Sequence, residues 1–168
     1  MTRYPRLRMR LPLSERHLSG TWTLSTIDPS DVPALGSLML AAYRGTVDDE
    51  GETVEDAVAE VERTLGGEYG PMIVDCSFVA SHEGRIVATA VVVLSQDGPL
   101  LAHLLVEPEM SRRGLGTFLL QASGNALLDA GYTRLDLYVT EDNDPAVNLY
   151  RKVGFEEIAR FTEPPEGA

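Results

Sequence analysis

Val106-Glu-Pro-Glu-Met-Ser-Arg-Arg-Gly-Leu-Gly116 follows a nearly continuous apolar run, Leu100 to Val106, and decides how the chain folds. Pro108 has no N–H to give a ladder and so ends a strand; Gly114 and Gly116 then open a long amphipathic segment. The order is strand, turn, helix. Leu115, Phe118, Leu119, Ala122, Ala126 and Ala130 recur at three- and four-residue steps, and Gly131 falls where a left-handed C-terminal cap belongs. A helix N-terminus leaves about four N–H groups unpartnered and carries a partial positive charge, and glycine lets an anion approach the backbone. Arg112 and Arg113 add local cations. The turn suits a pyrophosphate, although a lone Gly-x-Gly also describes an ordinary tight turn.

Downstream, Leu135, Leu137 and Val139 alternate as a strand should. Asn143-Asp-Pro-Ala-Val-Asn-Leu-Tyr-Arg-Lys-Val-Gly-Phe155 comes next, where Asp144 is suited to cap a short helix, Pro145 to begin it and Gly154 to lie just past its end. Asn143 is then just outside a helix mouth and Tyr150 about two turns in, with Leu149 beside it as the expected core contact. The two glycines, the asparagine and the tyrosine at these spacings resemble the GCN5-related N-acetyltransferase (GNAT) family, closely from Leu100 to Phe155 and in general outline elsewhere.

The resemblance implies an α/β (α+β) fold, a mixed, mostly antiparallel central sheet flanked by helices, in which two neighbouring strands splay apart to admit acetyl-CoA as acyl donor. By the same resemblance Leu104 and Val106 offer backbone groups to the pantetheine arm, Arg112, Arg113, Gly114, Leu115 and Gly116 wrap the pyrophosphate, and Asn143 and Tyr150 border the cofactor. The family's turn usually reads Gln/Arg-x-x-Gly-x-Gly/Ala; Ser111 fills its first place here, which weakens a side-chain contact and keeps the backbone cradle. Leu119 stands where a nicotinamide-binding turn needs its third glycine, and no Gly-Lys-Ser/Thr is present for a nucleoside triphosphate.

Acetyl transfer to an amine needs a neutral amine, a stabilised oxyanion and a proton for the departing thiolate. Tyr150 holds the family's general-acid position in Leu-Tyr-x-x-x-Gly-Phe; a buried tyrosine is also an ordinary core aromatic. Carboxylates that serve relatives as general base map onto Leu100 and Tyr138, neither of them acidic. His103 lies on the right strand and has a suitable intrinsic pKa, although a structural histidine is the plainer account, and a water relay to a loop acid such as Asp97 is an equal alternative; Cys76 as an acyl-carrying nucleophile ranks below both. The resulting expectation is direct transfer to the primary amine of a small molecule or peptide. The alternative is a CoA-binding module without turnover, acting as a sensor or interaction protein.

Hydrophobic residues at 43% and charged residues at 24% describe one ordinary globular domain over residues 1–168, with a strand segment in residues 1–20 and a frayed tail over 163–168. No apolar run is long enough for a membrane helix, and the basic start lacks the apolar core of a secretory signal. Cys76 is the one cysteine, so a cytoplasmic location is the default expectation; no Cys/His spacing suggests a metal. A net charge of −12 argues against nucleic acid. The family is compatible with a homodimer.

Five arginines against Glu15 make residues 1–16 locally basic, and Arg6, Arg8 and Arg10 alternate with Leu7, Met9, Leu11 and Leu13 as a strand with one solvated face. Thr21 to Ile27 is expected to pair with that strand through Ser19-Gly20. A helix capped by Asp31 runs to Tyr43 with Val32, Leu35, Leu38, Met39 and Ala42 inward; a second starts at the Thr53/Asp56 capping box, carries Val54, Ala57, Val58, Val61 and Leu65, and ends at Gly66-Gly67. Cys76–Ser81 and Arg85–Leu94 read as strands joined at His82-Glu83-Gly84, and a final strand falls near Phe155 to Phe161. Eight acids and no base lie between Asp48 and Glu62. They are either an acidic rim that attracts a cationic amine or, the preferred account, helix-capping and solvated charges.

Overall fold

The computed structural model describes residues 4–162. Its elements are β1 (Pro5–Pro12), β2 (Thr23–Thr26), α1 (Val32–Tyr43), α2 (Val54–Leu65), β3 (Phe78–His82), β4 (Arg85–Ser95), β5 (Gly98–Val106), α3 (Leu115–Asp129), β6 (Arg134–Thr140), α4 (Asp144–Val153) and β7 (Glu156–Thr162). The strands form one seven-stranded sheet in the order β2-β3-β4-β5-β6-β1-β7, antiparallel except between β5 and β6. The expected element order and mixed sheet are present. The tail expected to fray, and Arg3, lie outside the described residues.

Helices cover both faces of the sheet because the strands bury side chains on both. One core joins Leu7, Met9 and Leu11 of β1 and Leu135 and Leu137 of β6 to Leu115, Leu119 and Leu127 of α3 and Val147 and Val153 of α4. The other packs Val79, Val91 and Leu105 against Leu35, Leu38 and Met39 of α1 and Ala57 and Val61 of α2.

Several sequence expectations are corrected. β2 pairs with β3, whereas β1 is inserted between β6 and β7. Leu7, Met9 and Leu11 are almost wholly buried, which demands an interior strand; the short, mostly exposed β2 suits an edge. Arg8 and Arg10 do not simply face water, since both donate to Asp136 on β6, whose side chain is nearly inaccessible. The cap before α1 is Asp28, which accepts from Ser30 N while Asp31 answers as the box partner; Asp31 has no side-chain cap bond of its own. Cys76 closes a 3₁₀ turn, and β3 begins at Phe78. In α3 the buried residues include Leu120, Ser123, Gly124 and Leu127 rather than Ala130, because this helix packs on a broad face. The Thr53/Asp56 capping box of α2 and the left-handed Gly131 are present as expected.

The pairing of β5 positions the site. Opposite Val91 and Val92 the register jumps from His103 to Leu101, so Ala102 is the extra residue of a bulge. A bulge bends its strand and re-aims side chains. β5 pairs with parallel β6 only at Leu100–Asp136 and Leu101–Leu137, after which the two strands part.

Candidate active site

A cavity of about 800 Å³ opens where β5 and β6 diverge, walled by α1, α2 and the start of α4. His103 and Leu104 of β5, Tyr138 and Thr140 of β6, and Asn143 and Tyr150 of α4 line it. Leu100 and Tyr138, at the two positions where relatives carry a base, therefore do face the cavity without a carboxylate. Asp97 and Cys76 are not among its lining residues: Asp97 lies 3.6 Å from Arg8, and burial pushes the Cys76 thiol above its ordinary value. That is the opposite of nucleophile activation.

α4 delivers the tyrosine. Asn143, not Asp144, caps this helix, its Oδ1 accepting from Ala146 N at 3.4 Å, and Pro145 follows as expected. Val147, Tyr150 and Val153 then point into the core, and Leu149, half buried, packs against the same core as expected. Its ring meets Phe155 edge to face with centroids 5.6 Å apart. Burial, reinforced by Tyr43 and Asp48, raises the Tyr150 phenol far above its usual value, so the hydroxyl keeps its proton at neutral pH.

His103 occupies the opposite wall. Its Nε2 lies 2.9 Å from Thr64 Oγ1 on α2, while Nδ1 is shielded and has no hydrogen-bond partner among the described residues. Burial lowers the imidazole pKa against an opposing pull from Glu60, leaving the ring neutral at neutral pH. Glu60 accepts from Tyr69 and Arg63, each at 2.7 Å; burial pushes its pKa up, but these bonds, His103 and Arg63 outweigh it and hold the carboxylate below its ordinary value. Thr64, wholly buried, was missed from the sequence, although a polar residue on the Ala57–Val61 face of α2 was the available signal.

The acidic stretch divides by partner. Asp49 accepts from the amides of Gly45 and Gly51, and Asp56 from Thr53, as structural carboxylates do. Asp48 instead reaches across the cavity mouth, accepting from Thr140 Oγ1 at 2.9 Å and Asn143 Nδ2 at 3.1 Å. Asp48, Glu50, Glu52, Asp56 and Glu60 all line the cavity, against Arg6 and Arg63.

The glycine turn follows β5 directly, outside the cavity lining. Gly114 is left-handed at φ 77°, a Cβ there would meet nothing within 4 Å, and no side chain caps the first-turn N–H groups of α3, which follow exposed Arg112 and Arg113. Gly116 serves packing: a Cβ would come 3.1 Å from Leu149 on α4. The Ser111 hydroxyl is spent on the Pro108 carbonyl at 2.7 Å. An uncapped N-terminus, an unobstructed glycine and two cations fit a diphosphate, and the strand gap fits an extended arm.

A model of the acetyltransferase (GNAT) family matches residues 32–155. The ribosomal protein bS18-alanine N-acetyltransferase of Salmonella typhimurium is 28% identical over 135 residues, 80% of this chain and 81% of that protein. Mycothiol acetyltransferase of Clavibacter sepedonicus is 44% identical over 54 residues, 32% of this chain and 18% of that protein. The structure of a GCN5-related N-acetyltransferase from Sphaerobacter thermophilus aligns with a TM-score of 0.70 at 19% identity, covering 95% of this chain and 50% of that one. The chain thus spans about half of that structure and under a fifth of the mycothiol enzyme. By its matched residues and its fold, this chain belongs to the GNAT family of acetyltransferases.

Proposed function

We propose that the protein is an N-acetyltransferase that moves the acetyl group of acetyl-CoA directly onto the primary amine of a cationic small molecule or peptide. The observation that carries the reading is one acid-lined cavity at the β5–β6 gap, bordered by a protonated tyrosine and a neutral histidine. Acetyl-CoA supplies an acetyl group activated as a thioester. The first-turn amides of α3, with Arg112 and Arg113, hold its diphosphate, and backbone groups of Leu104 and Val106 align the pantetheine arm. Tyr150 donates its proton to the departing sulfur. Even an unperturbed phenol, near about 10, is a weaker acid than a thiol near about 8.5, and burial weakens Tyr150 further, so the transfer depends on the thiolate being at least as strongly desolvated beside the hydroxyl. His103 receives the proton lost by the amine. Carboxylates on the α1–α2 connection favour a positively charged acceptor over a neutral or acidic one.

A rival reading, a binding module without turnover, rests on Leu100 and Tyr138 facing the cavity in place of carboxylates. Free thiol release from acetyl-CoA across polyamines, aminoglycosides, basic peptides and neutral amines separates the two. Amine-dependent release, greatest for the cationic acceptors, is expected. Release no faster with any amine than without one, together with retained acetyl-CoA binding, would favour the module.

A further inference from the structure

Thr64 is buried on α2, where its hydroxyl meets the His103 ring. A hydroxyl has a single proton, and Thr64 Oγ1 lies 3.0 Å from the Glu60 carbonyl one turn earlier, with the Glu60 carboxylate more distant at 3.5 Å. Serine and threonine within helices commonly spend their proton on such a carbonyl. With that proton committed, Oγ1 meets His103 Nε2 at 2.9 Å through a lone pair, and Nε2 must then be the nitrogen that carries hydrogen. In a neutral imidazole the other nitrogen is bare. Nδ1 is that nitrogen, a shielded acceptor without a partner among the described residues, on a side chain that lines the cavity. A buried acceptor left unpaired is costly, an incentive to take a donor from a molecule in the cavity.

We propose that Thr64 is a positioning residue for acetyl transfer: it fixes His103 as the Nε2–H tautomer, so that bare Nδ1 is the atom that accepts the acceptor amine's proton. The inference rests on the acetyltransferase reading above. In the step it serves, the amine nitrogen forms a bond to the acetyl carbon and loses a proton to Nδ1. The carbon–sulfur bond breaks, and the sulfur takes the Tyr150 proton. His103 ends with one proton too many and Tyr150 with one too few; solvent exchange restores both, and the net change is amine plus thioester to amide plus thiol. Were the tautomer reversed, Nδ1 would already carry hydrogen and could not accept.

Long-range proton–nitrogen NMR on the nitrogen-labelled full chain reads the tautomer directly, with the His103 signal among the three histidines assigned by its loss in His103→Asn. Wild type should show protonated Nε2 and bare Nδ1. Thr64→Val, which keeps shape and removes the hydroxyl, should mix or reverse the tautomers and lower kcat about tenfold without changing the KM for acetyl-CoA, and Thr64→Ser should restore both. A protonated Nδ1 in wild type overturns the proposal even if no variant folds. So does an unchanged kcat in a folded Thr64→Val protein. Absence of turnover in wild type with every amine would instead sink the acetyltransferase reading, an outcome visible separately from the wild-type tautomer.

Discussion

Tyr150 keeps its proton because burial penalises the phenolate, and that leaves it an acid waiting for a stronger base than water. Tyr150→Phe retains the ring and its contact with Phe155, so kcat should fall roughly 10²- to 10⁴-fold while acetyl-CoA binding by calorimetry is almost unchanged. The proposed mechanism uses His103 in its neutral form, and its pKa lies below the ordinary value of about 6.5. Activity is therefore lost as pH falls through that lowered pKa, and the acid limb of kcat/KM should lie below 6.5; Glu60, which opposes the lowering, should on conversion to Gln move the limb further down. Both residues were legible in the sequence as candidates, Tyr150 through the family resemblance of Leu-Tyr-x-x-x-Gly-Phe and His103 through its strand. Thr64 was not, because contact between a residue on α2 and one on β5 depends on tertiary packing that neither element's period records.

The strand–turn–helix at residues 100–129 was readable because its signals are local: a proline that cannot pair and a glycine that tolerates a positive φ. Gly114→Val should strain that turn and place a branched side chain where the proposed mechanism seats the diphosphate. Wild type should be stabilised by acetyl-CoA, by about 2.7 kcal/mol at a hundredfold excess over Kd, and the variant should lose most of the accompanying melting shift. The place of β1 was not readable, since alternation marks a strand's faces and leaves its neighbours unspecified. Asp136, set between Leu135 and Leu137, is the trace of that neighbourhood, for it needs the two guanidinium groups that β1 brings. Burial pushes its carboxyl upward, but hydrogen bonds from Arg10 and Arg8 outweigh this and hold the pKa below the ordinary carboxylate value. A depressed folded-state pKa stabilises the fold above the unfolded-state value of about 3.9, and the contribution is lost as pH falls through the folded one. Asp136→Asn should cost about 2 kcal/mol in urea unfolding at neutral pH, and the gap from wild type should shrink under acid.

Across the whole molecule, the −12 net charge coexists with a basic first strand because Arg8 and Arg10 are consumed inside the sheet, while acids outnumber bases around the cavity. Glu50 and Glu52 line the cavity, and the one bond between them, Glu50 N donating to the Glu52 carboxylate at 3.2 and 3.3 Å, is one that a glutamine oxygen can keep. Converting both to Gln should raise the KM for a cationic amine and leave that for acetyl-CoA alone; added salt should have the same effect on wild type, since the screening length is about 8 Å at 0.15 M and shortens further. The most direct measurement is mass spectrometry of the products formed from acetyl-CoA and a cationic primary amine, with thiol counted in parallel, for wild type and Tyr150→Phe. One acetylated amine for each thiol released by wild type, and a rate at least a hundredfold lower in the variant, is the predicted result. Thiol without acetylated amine, or equal rates in the two proteins under chemistry-limited turnover, would contradict direct transfer assisted by Tyr150.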